Sequence, residues 1–442
     1  MRQEDKLYKK VDGWLLLCYL LLTFTGLFNL YSASFNPEHP AIYDLDREHG
    51  KQFMWLVISL VLGGMILLLE GSFIKKISYE IYGVIIFLLI AVLLVGTVRN
   101  GARAWFGVGG FGIQPSEFAK IGLSLALAKF LSTPNIKLQD KQTKQITLGL
   151  ILLPALLILL QPDTGTVIVF ASFIFVIYRE GIGGNILLFG FFSTVLAVLS
   201  LILKDTTFVI TGIGELSGQI WLVMIFGIIS LIIFFIIRKI VMKRNRKYAI
   251  LVLGVVYVLG SSVILLTNFG FNKVLAAHQK DRIEILLGQK EDPKVKGYNI
   301  DRSKAAIGSG QWSGKGYMKS TLSNASQKHV PMQTTDFIYC TWSEEWGFQG
   351  SVAVILVFLF MLIRMVIIAE RQRSHFTRIY AYCVACIIFF HVLINIGMTI
   401  GLAPVIGIPL PFFSYGGSSL FAFSILVFIL LRLDSERLNV LR

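Results

Sequence analysis

The chain has 442 residues, 55% hydrophobic and 15% charged, with a mean hydropathy of +0.71. Soluble domains carry about 25% charged residues, so soluble, collagen-like, disordered and disulfide-stapled classes are all excluded. The formal net charge is +15, which in a chain built of apolar runs points to a membrane protein and not to nucleic-acid binding.

A hydrocarbon core of ~30 Å needs ~20 apolar residues per helix. Twelve runs qualify as candidates: 14–33, 52–70, 77–96, 116–132, 146–161, 165–179, 184–204, 219–237, 248–269, 346–368, 379–402 and 412–431. The first reads as a retained span, because it is too long for a signal peptide and no cleavage site follows it. Direction follows from Lys and Arg in short loops. Residues 1–13 hold Arg2, Lys6, Lys9 and Lys10, which places the N-terminus in the cytoplasm. Twelve spans then put the basic 238–247 loop, the 364–378 loop and the C-terminus on the same side. The predicted cytoplasmic pieces hold 23 basic and 8 acidic residues, so they account for the whole net charge. Headgroup binding is a second use for the 238–247 loop.

The four cysteines are Cys18, Cys340, Cys383 and Cys386. Cys383 and Cys386 form a CxxC inside an apolar run, which fits small residues on a buried helix better than a redox or zinc site. Residues 270–345 hold no span and fall outside the membrane. A loop of that length is unusual unless it has a function. Val274 to Leu287 carries apolar residues at helical spacing and predicts a short interfacial helix.

Ionisable residues within spans face an interior or a water-filled cavity. Glu117 and Lys120 follow Pro115, and their spacing of three puts them on one helix face. Asp163 lies in Gln161-Pro162-Asp163-Thr164-Gly165, which interrupts the helix between the fifth and sixth runs. Asp336 lies in Thr335-Asp336-Phe337, where the chain re-enters the membrane, with Glu344 and Glu345 following. Each also fits a structural role as an ion pair or helix cap. Together, at the outer end, they predict one shared outward-facing site. Gly308 to Gly316 is a Gly-rich stretch with Lys315. It departs from a Walker motif at Ser309 and Gly316, but its backbone N–H groups suit an anion as well as a simple turn. Residues 401–419 carry Pro404, Pro409, Pro411 and several glycines, so non-helical backbone is predicted at membrane depth.

In this order the blocks resemble the SEDS family of polytopic membrane proteins, which includes FtsW, RodA and SpoVE. They are Gly101-Ala-Arg103-Ala-Trp105, Gln114-Pro-Ser-Glu117-Phe-Ala-Lys120, Gln161-Pro-Asp163-Thr-Gly165 and His278-Gln-Lys-Asp-Arg282-Ile. Then come Gly308-Ser-Gly with Gly314-Lys-Gly316, Thr335-Asp336-Phe-Ile, Asn395-Ile-Gly397-Met, and Pro409-Leu-Pro411 through Ser419. Val405-Ile406-Gly407 and Gln161 resemble the RodA branch. Met332 and Thr334 stand where the family usually has Glu and His.

The resemblance implies an all-α polytopic integral membrane protein. It implies a SEDS-type bundle of ten core spans, to which 219–269 adds a helical pair, with a large extracytoplasmic loop over 270–345. It implies a peptidoglycan glycosyltransferase that polymerises lipid II on the outer face of the bacterial cytoplasmic membrane during elongation and shape maintenance. The implied partner is a class B penicillin-binding protein. Transfer needs a base at the attacking sugar hydroxyl and positive charge at the leaving pyrophosphate. The family places the catalytic Asp at Asp336. Glu117, Lys120 and Asp163 match cavity residues, with Lys120 contacting an anion or fixing Glu117. Arg103, Arg282 and Lys315 are further pyrophosphate candidates. A divalent cation, Mg or Mn, suits carboxylates facing a pyrophosphate, and no motif calls for an organic cofactor. A lipid II flippase would use a similar cavity, and a non-catalytic scaffold of the wall-synthesis complex is the third alternative.

Overall fold

The structure is a computed structural model that describes residues 11–35, 41–99, 102–108, 111–204, 206–210, 214–274, 280, 284, 297–323, 330 and 332–437. The chain divides into two compact units. Met1–Ile182 with Asp292–Arg442 form the first, and Gly183–Glu291 form the second.

The first unit is a helical bundle. Its elements are α1 (Gly13–Ala33), α2 (Glu48–Leu68), α3 (Gly71–Lys76), α4 (Ser78–Val95), β1 (Thr97–Arg99), β2 (Ala102–Val108), β3 (Phe111–Ile113), α5 (Pro115–Leu131), α6 (Lys141–Leu159), α7 (Thr164–Phe170) and α8 (Phe173–Arg179). The second unit holds α9 (Asn185–Ile202), β4 (Thr207–Ile210), β5 (Gly214–Ser217), α10 (Gly218–Ile240) and α11 (Lys243–Phe269). The chain then returns to the first unit with α12 (Gly297–Ser309), α13 (Ile338–Glu370), α14 (His375–Thr399) and α15 (Gly417–Ser435).

Each of the twelve apolar runs overlaps a helical segment, with the last two reaching into the irregular 400–416 stretch. Nine helices among the described residues are long and apolar enough to cross a membrane. The three shorter segments have visible causes. α5 has only 17 residues. The sixth run is broken into α7 and α8 by a turn at Ala171 and Ser172, and the seventh offers an apolar stretch of only 187–202. The chain is a multi-pass membrane protein.

The helices are apolar outside as well as inside, as a lipid solvent requires. On α1, Leu17, Leu21, Phe24 and Phe28 form an exposed stripe at helical spacing. Leu15, Tyr19, Leu22 and Leu30 are buried on the other face. Gly26 lets α1 approach the backbone of Phe412, since a Cβ there would meet the Phe412 carbonyl oxygen at 2.7 Å. The free thiols of Cys383 and Cys386 lie on α14 in its packed region.

Two features were not predicted. β1, β2 and β3 form a three-stranded antiparallel sheet, and β4 pairs with β5 antiparallel. Both connect helices through segments of only 17 and 11 residues. In the region predicted as an outer loop the described helix is α12, whereas the helix predicted over 274–287 lies largely outside the described residues.

Polar side chains gather at both ends of the first unit. At one end Asp12 caps α1 through the N–H of Leu15 (3.0 Å) and accepts from Arg364 (2.7 Å) and Arg371 (2.8 Å). Arg371 also pairs with Asp434, which accepts from Arg437 at 3.2 Å. Burial works to raise the Asp12 carboxyl. The Arg364, Leu15 and Arg371 hydrogen bonds outweigh it and hold the group below its ordinary value. The start of α1 and the ends of α13 and α15 are thereby tied together.

Candidate functional site

The opposite end of the first unit gathers the start of α5, the start of α7, the segment before α13 and the irregular 400–416 stretch. Pro115 opens α5 at a position where its missing N–H costs nothing. One turn on, the fully buried Lys120 ammonium lies 2.7 Å from Glu117. The same ammonium lies 3.1 Å from Nε2 of His391 on α14 and 4.5 Å from the Phe423 ring centre. His391 Nδ1 lies 3.2 Å from the Pro409 carbonyl oxygen. An ammonium only donates and a carbonyl only accepts. The imidazole is therefore neutral, with its proton on Nδ1 and its Nε2 accepting from Lys120. Of the two roles predicted for Lys120, the geometry carries the second: it fixes Glu117. His391 was missed, although a lone histidine inside an apolar run meets the same criterion that singled out Glu117.

Asp163 is the N-cap of α7. Its carboxylate accepts from the Thr166 N–H (3.1 Å) and hydroxyl (2.9 Å), Ser116 Oγ (3.0 Å) and Gln114 Nε2 (3.2 Å). Its structural role is thus a cap that also joins α7 to the start of α5. Behind it, a Cβ on Gly165 would lie 3.0 Å from Ile408 and 3.2 Å from Ile406. α7 therefore packs closely against the Ile406 and Ile408 side chains.

Asp336 meets that same stretch. Its Oδ2 lies 3.4 Å from where a Cβ on Gly407 would stand, and Gly407 has φ +83°. Asn395 on α14 joins the two segments, its Nδ2 donating to the Asp336 carbonyl (2.9 Å) and the Ile408 carbonyl (2.7 Å). The Tyr415 N–H donates to the Thr334 carbonyl at 2.9 Å. Asp336 does not cap α13, because the cap position is Phe337 and carries no side-chain bond. The half-buried Asp336 is held by its backbone, and its carboxylate faces the 407 turn.

Met332 and Thr334 shape the approach to Asp336. Met332 takes φ +54° and is 53% exposed. Its carbonyl accepts from the N–H groups of Thr335 and Phe337, both at 3.2 Å, closing a tight turn.

Lys315 of the Gly-rich segment and the 321–323 backbone beyond it converge on the carboxylate of Glu344. This fully buried carboxylate accepts from Lys315 Nζ (2.6 Å), from the N–H groups of Thr321 (2.9 Å), Leu322 (3.0 Å) and Ser323 (2.9 Å), and from the Ser323 hydroxyl (2.5 Å). The backbone explains the docking. Gly347 takes φ +63° and breaks α13, which frees N–H groups beyond it. Phe348 and Gln349 donate to the carbonyls of Gln311 and Trp312, while Lys315 and Gly316 donate to the carbonyls of Glu344 and Glu345. A Cβ at Gly347 would strike the Trp312 carbonyl. Lys315 is therefore not a free pyrophosphate ligand, because its charge is taken up by Glu344. Beside it, buried Glu345 accepts from Ser32 and from the Met318 N–H at 3.2 Å. Tyr317 donates to the Phe28 carbonyl at 3.1 Å, and burial pushes its phenol up to about 12.

Arg103 is exposed on β2, opposite Val98 in the sheet. Ser418 Oγ ties that sheet to α15, donating to the Gly112 carbonyl at 2.9 Å and accepting from the Gln114 N–H at 3.3 Å. Arg282 lies outside the described residues. Among the described residues no group of three or more His, Cys, Asp or Glu side chains stands ready to hold a metal.

Known proteins share this chain's plan. The "Cell cycle protein" family model for FtsW, RodA and SpoVE matches residues 13–206 and 257–439. The peptidoglycan glycosyltransferase RodA of Treponema pallidum is 34% identical over 97% of this chain and 98% of its own length. The stage V sporulation protein E of Bacillus subtilis is 31% identical over 96% of both chains. A solved chain from a peptidoglycan synthase complex, described as coordinating polymerisation and crosslinking, aligns with TM-score 0.67 and 26% identity. That alignment covers 97% of this chain and 98% of the other. The crystal structure of Thermus thermophilus rod shape determining protein RodA has the same fold, with TM-score 0.55, 22% identity and 97% of both chains covered. The chain belongs to the FtsW/RodA/SpoVE family.

Proposed function

We infer that this family member is a peptidoglycan glycosyltransferase of the RodA type. It extends glycan strands from lipid II on the outer face of the bacterial cytoplasmic membrane, with both termini in the cytoplasm. The observation that carries the reading is Asp336. It is a half-buried carboxylate held at the re-entry into the membrane by Asn395 and facing the Gly407 turn. Full-length relatives named as peptidoglycan glycosyltransferases support it.

In the reaction a sugar hydroxyl of one substrate attacks the anomeric carbon of another. The bond from that carbon to the lipid pyrophosphate breaks, and the hydroxyl proton goes to a base. Asp336 is that base. Glu117 and Lys120 are positioning residues, which hold the 409 backbone through His391. Lys120 and Lys315 are already ion-paired, so Arg103 is the described cation among the predicted site residues that remains exposed to meet the leaving pyrophosphate. A divalent ion would have to draw most of its ligands from the pyrophosphate itself, and no step here depends on one. A class B penicillin-binding protein is the proposed partner that cross-links the product.

The test is to supply labelled lipid II to the purified protein with its partner, and separately to load it into vesicles containing the protein. Glycan polymer from both supports the reading. Movement of lipid II across the bilayer without polymer makes the protein a flippase instead.

A further inference from the structure

The α10–α11 hairpin carries the densest basic cluster of the chain. Arg238 and Lys239 lie in the last turn of α10, and Lys243, Arg244, Arg246 and Lys247 open α11. Only Val241 and Met242 separate the two helices. No acidic residue occurs anywhere from 216 to 280. Five of the six cations are exposed, and Arg246 is half-buried with its Nε lacking any hydrogen-bond partner.

Topology signalling alone does not account for this arrangement. Five arginines near the predicted cytoplasmic ends of the first unit are ion-paired within the protein. Arg364 pairs with Asp12, Arg371 with Asp12 and Asp434, Arg378 with Glu180, Arg432 with Glu436 and Arg437 with Asp434. The hairpin cations have no ion-pair partner among the described residues. Their surroundings are apolar and exposed: Ile240, Met242, Tyr248 and Leu251 flank them at 65–79% exposure. A ligand that satisfies both features carries negative charge directly above hydrocarbon. α10 supports that placement, since its 23 residues span about 34 Å at 1.5 Å per residue. That length puts the cations at the headgroup level of a bilayer. The family model leaves 207–256, which holds α10 and the basic turn, unmatched.

We propose that the α10–α11 turn is a binding site for anionic phospholipid headgroups, which its six cations hold while the flanking apolar side chains cover the upper acyl chains. The occupant is a phosphatidylglycerol-type lipid. The apolar flank rules against a purely acidic protein segment, which would leave Ile240, Met242 and Leu251 uncovered.

The test uses the full chain purified in mild detergent, so membrane orientation does not enter. Phosphatidylglycerol and phosphatidylcholine with the same acyl chains are titrated in, and bound lipid is counted by native mass spectrometry. The wild-type protein is expected to prefer phosphatidylglycerol. The K243Q/R244Q/K247Q variant should lose about tenfold or more of that affinity, with phosphatidylcholine binding unchanged. K137Q/K141Q/K144Q removes three cations elsewhere and should leave the preference intact, and K243R/K247R should keep it. An unchanged thermal unfolding midpoint shows that each variant is folded. Equal phosphatidylglycerol binding by wild type and K243Q/R244Q/K247Q, or an equal loss in the control variant, overturns the proposal. Displacement of the lipid by inorganic phosphate alone, or by poly-glutamate in preference, overturns it too.

Discussion

Lys120 and His391 lie 3.1 Å apart, and through that contact a buried ion pair on α5 reaches the Pro409 carbonyl of the irregular 400–416 stretch. The Lys120–Glu117 pair therefore sets the position of the backbone that faces Asp336. Removing one member leaves an uncompensated buried charge, which costs about 3–5 kcal/mol. Lys120→Met should lower the thermal unfolding midpoint sharply and abolish polymerisation. The Lys120→Met, Glu117→Gln double variant should regain much of the stability, because no buried charge is left unpaired. Thermal unfolding in detergent measures both. Equal destabilisation of the single and double variants would refute the coupling.

Glu344 organises the segment that docks on the broken start of α13. Hydrogen bonds to a charged group contribute about 1.5–3 kcal/mol each. Glu344→Ala should ease opening of 315–323 by about 3 kcal/mol, or about a hundredfold in exchange rate at the Leu322 and Ser323 amides. Hydrogen exchange reads this directly. Unchanged protection there would mean that the backbone exchange with Gln311 and Trp312 alone holds the segment.

Asp12 makes stability at the opposite end depend on pH. Its folded value lies below the ordinary carboxylate value of 3.8. Its stabilisation is therefore complete above about pH 4 and is lost as the pH falls through the lower folded value. Asp12→Asn should be less stable than wild type near neutral pH, with the gap narrowing only below about pH 4. Unfolding midpoints of the two proteins across pH 2–7 test it, and a gap independent of pH would count against it.

Gly407 has φ +83° and stands against Asp336. A side chain in left-handed backbone costs about 1–2 kcal/mol. Gly407→Ala should leave the bundle folded but cut glycan synthesis by at least tenfold, since any relief of strain moves the turn facing the carboxylate. Full activity in a folded Gly407→Ala protein would show that the turn has no part in placing Asp336.

Sequence reasoning reached the helices because apolar runs of about 20 residues have few alternatives in a membrane. The Glu117–Lys120 pair was legible for a similar reason: its residues lie three apart on one helix, so local geometry decides their contact. Asp163 was legible as a helix cap from its Pro-Asp-Thr-Gly context. The Glu344 clasp was not, because Lys315 and its carboxylate are 29 positions apart and the docking depends on the break at Gly347. The Gly-rich segment suggested an anion site or a simple turn, and its Lys315 is engaged by a carboxylate of the same chain. The sheet over 97–113 was missed because strands of three and seven residues leave too little alternation to register. His391 was passed over because a lone histidine in an apolar run names no partner, and its partner Lys120 lies 271 positions away.

The claim that Asp336 is the base is tested most directly by polymerisation of labelled lipid II. The purified Asp336→Ala protein, folded and assembled with the proposed penicillin-binding partner, is compared with wild type. Wild type is expected to build long glycan strands and Asp336→Ala none above background. Normal glycan from a folded, assembled Asp336→Ala protein would contradict the account.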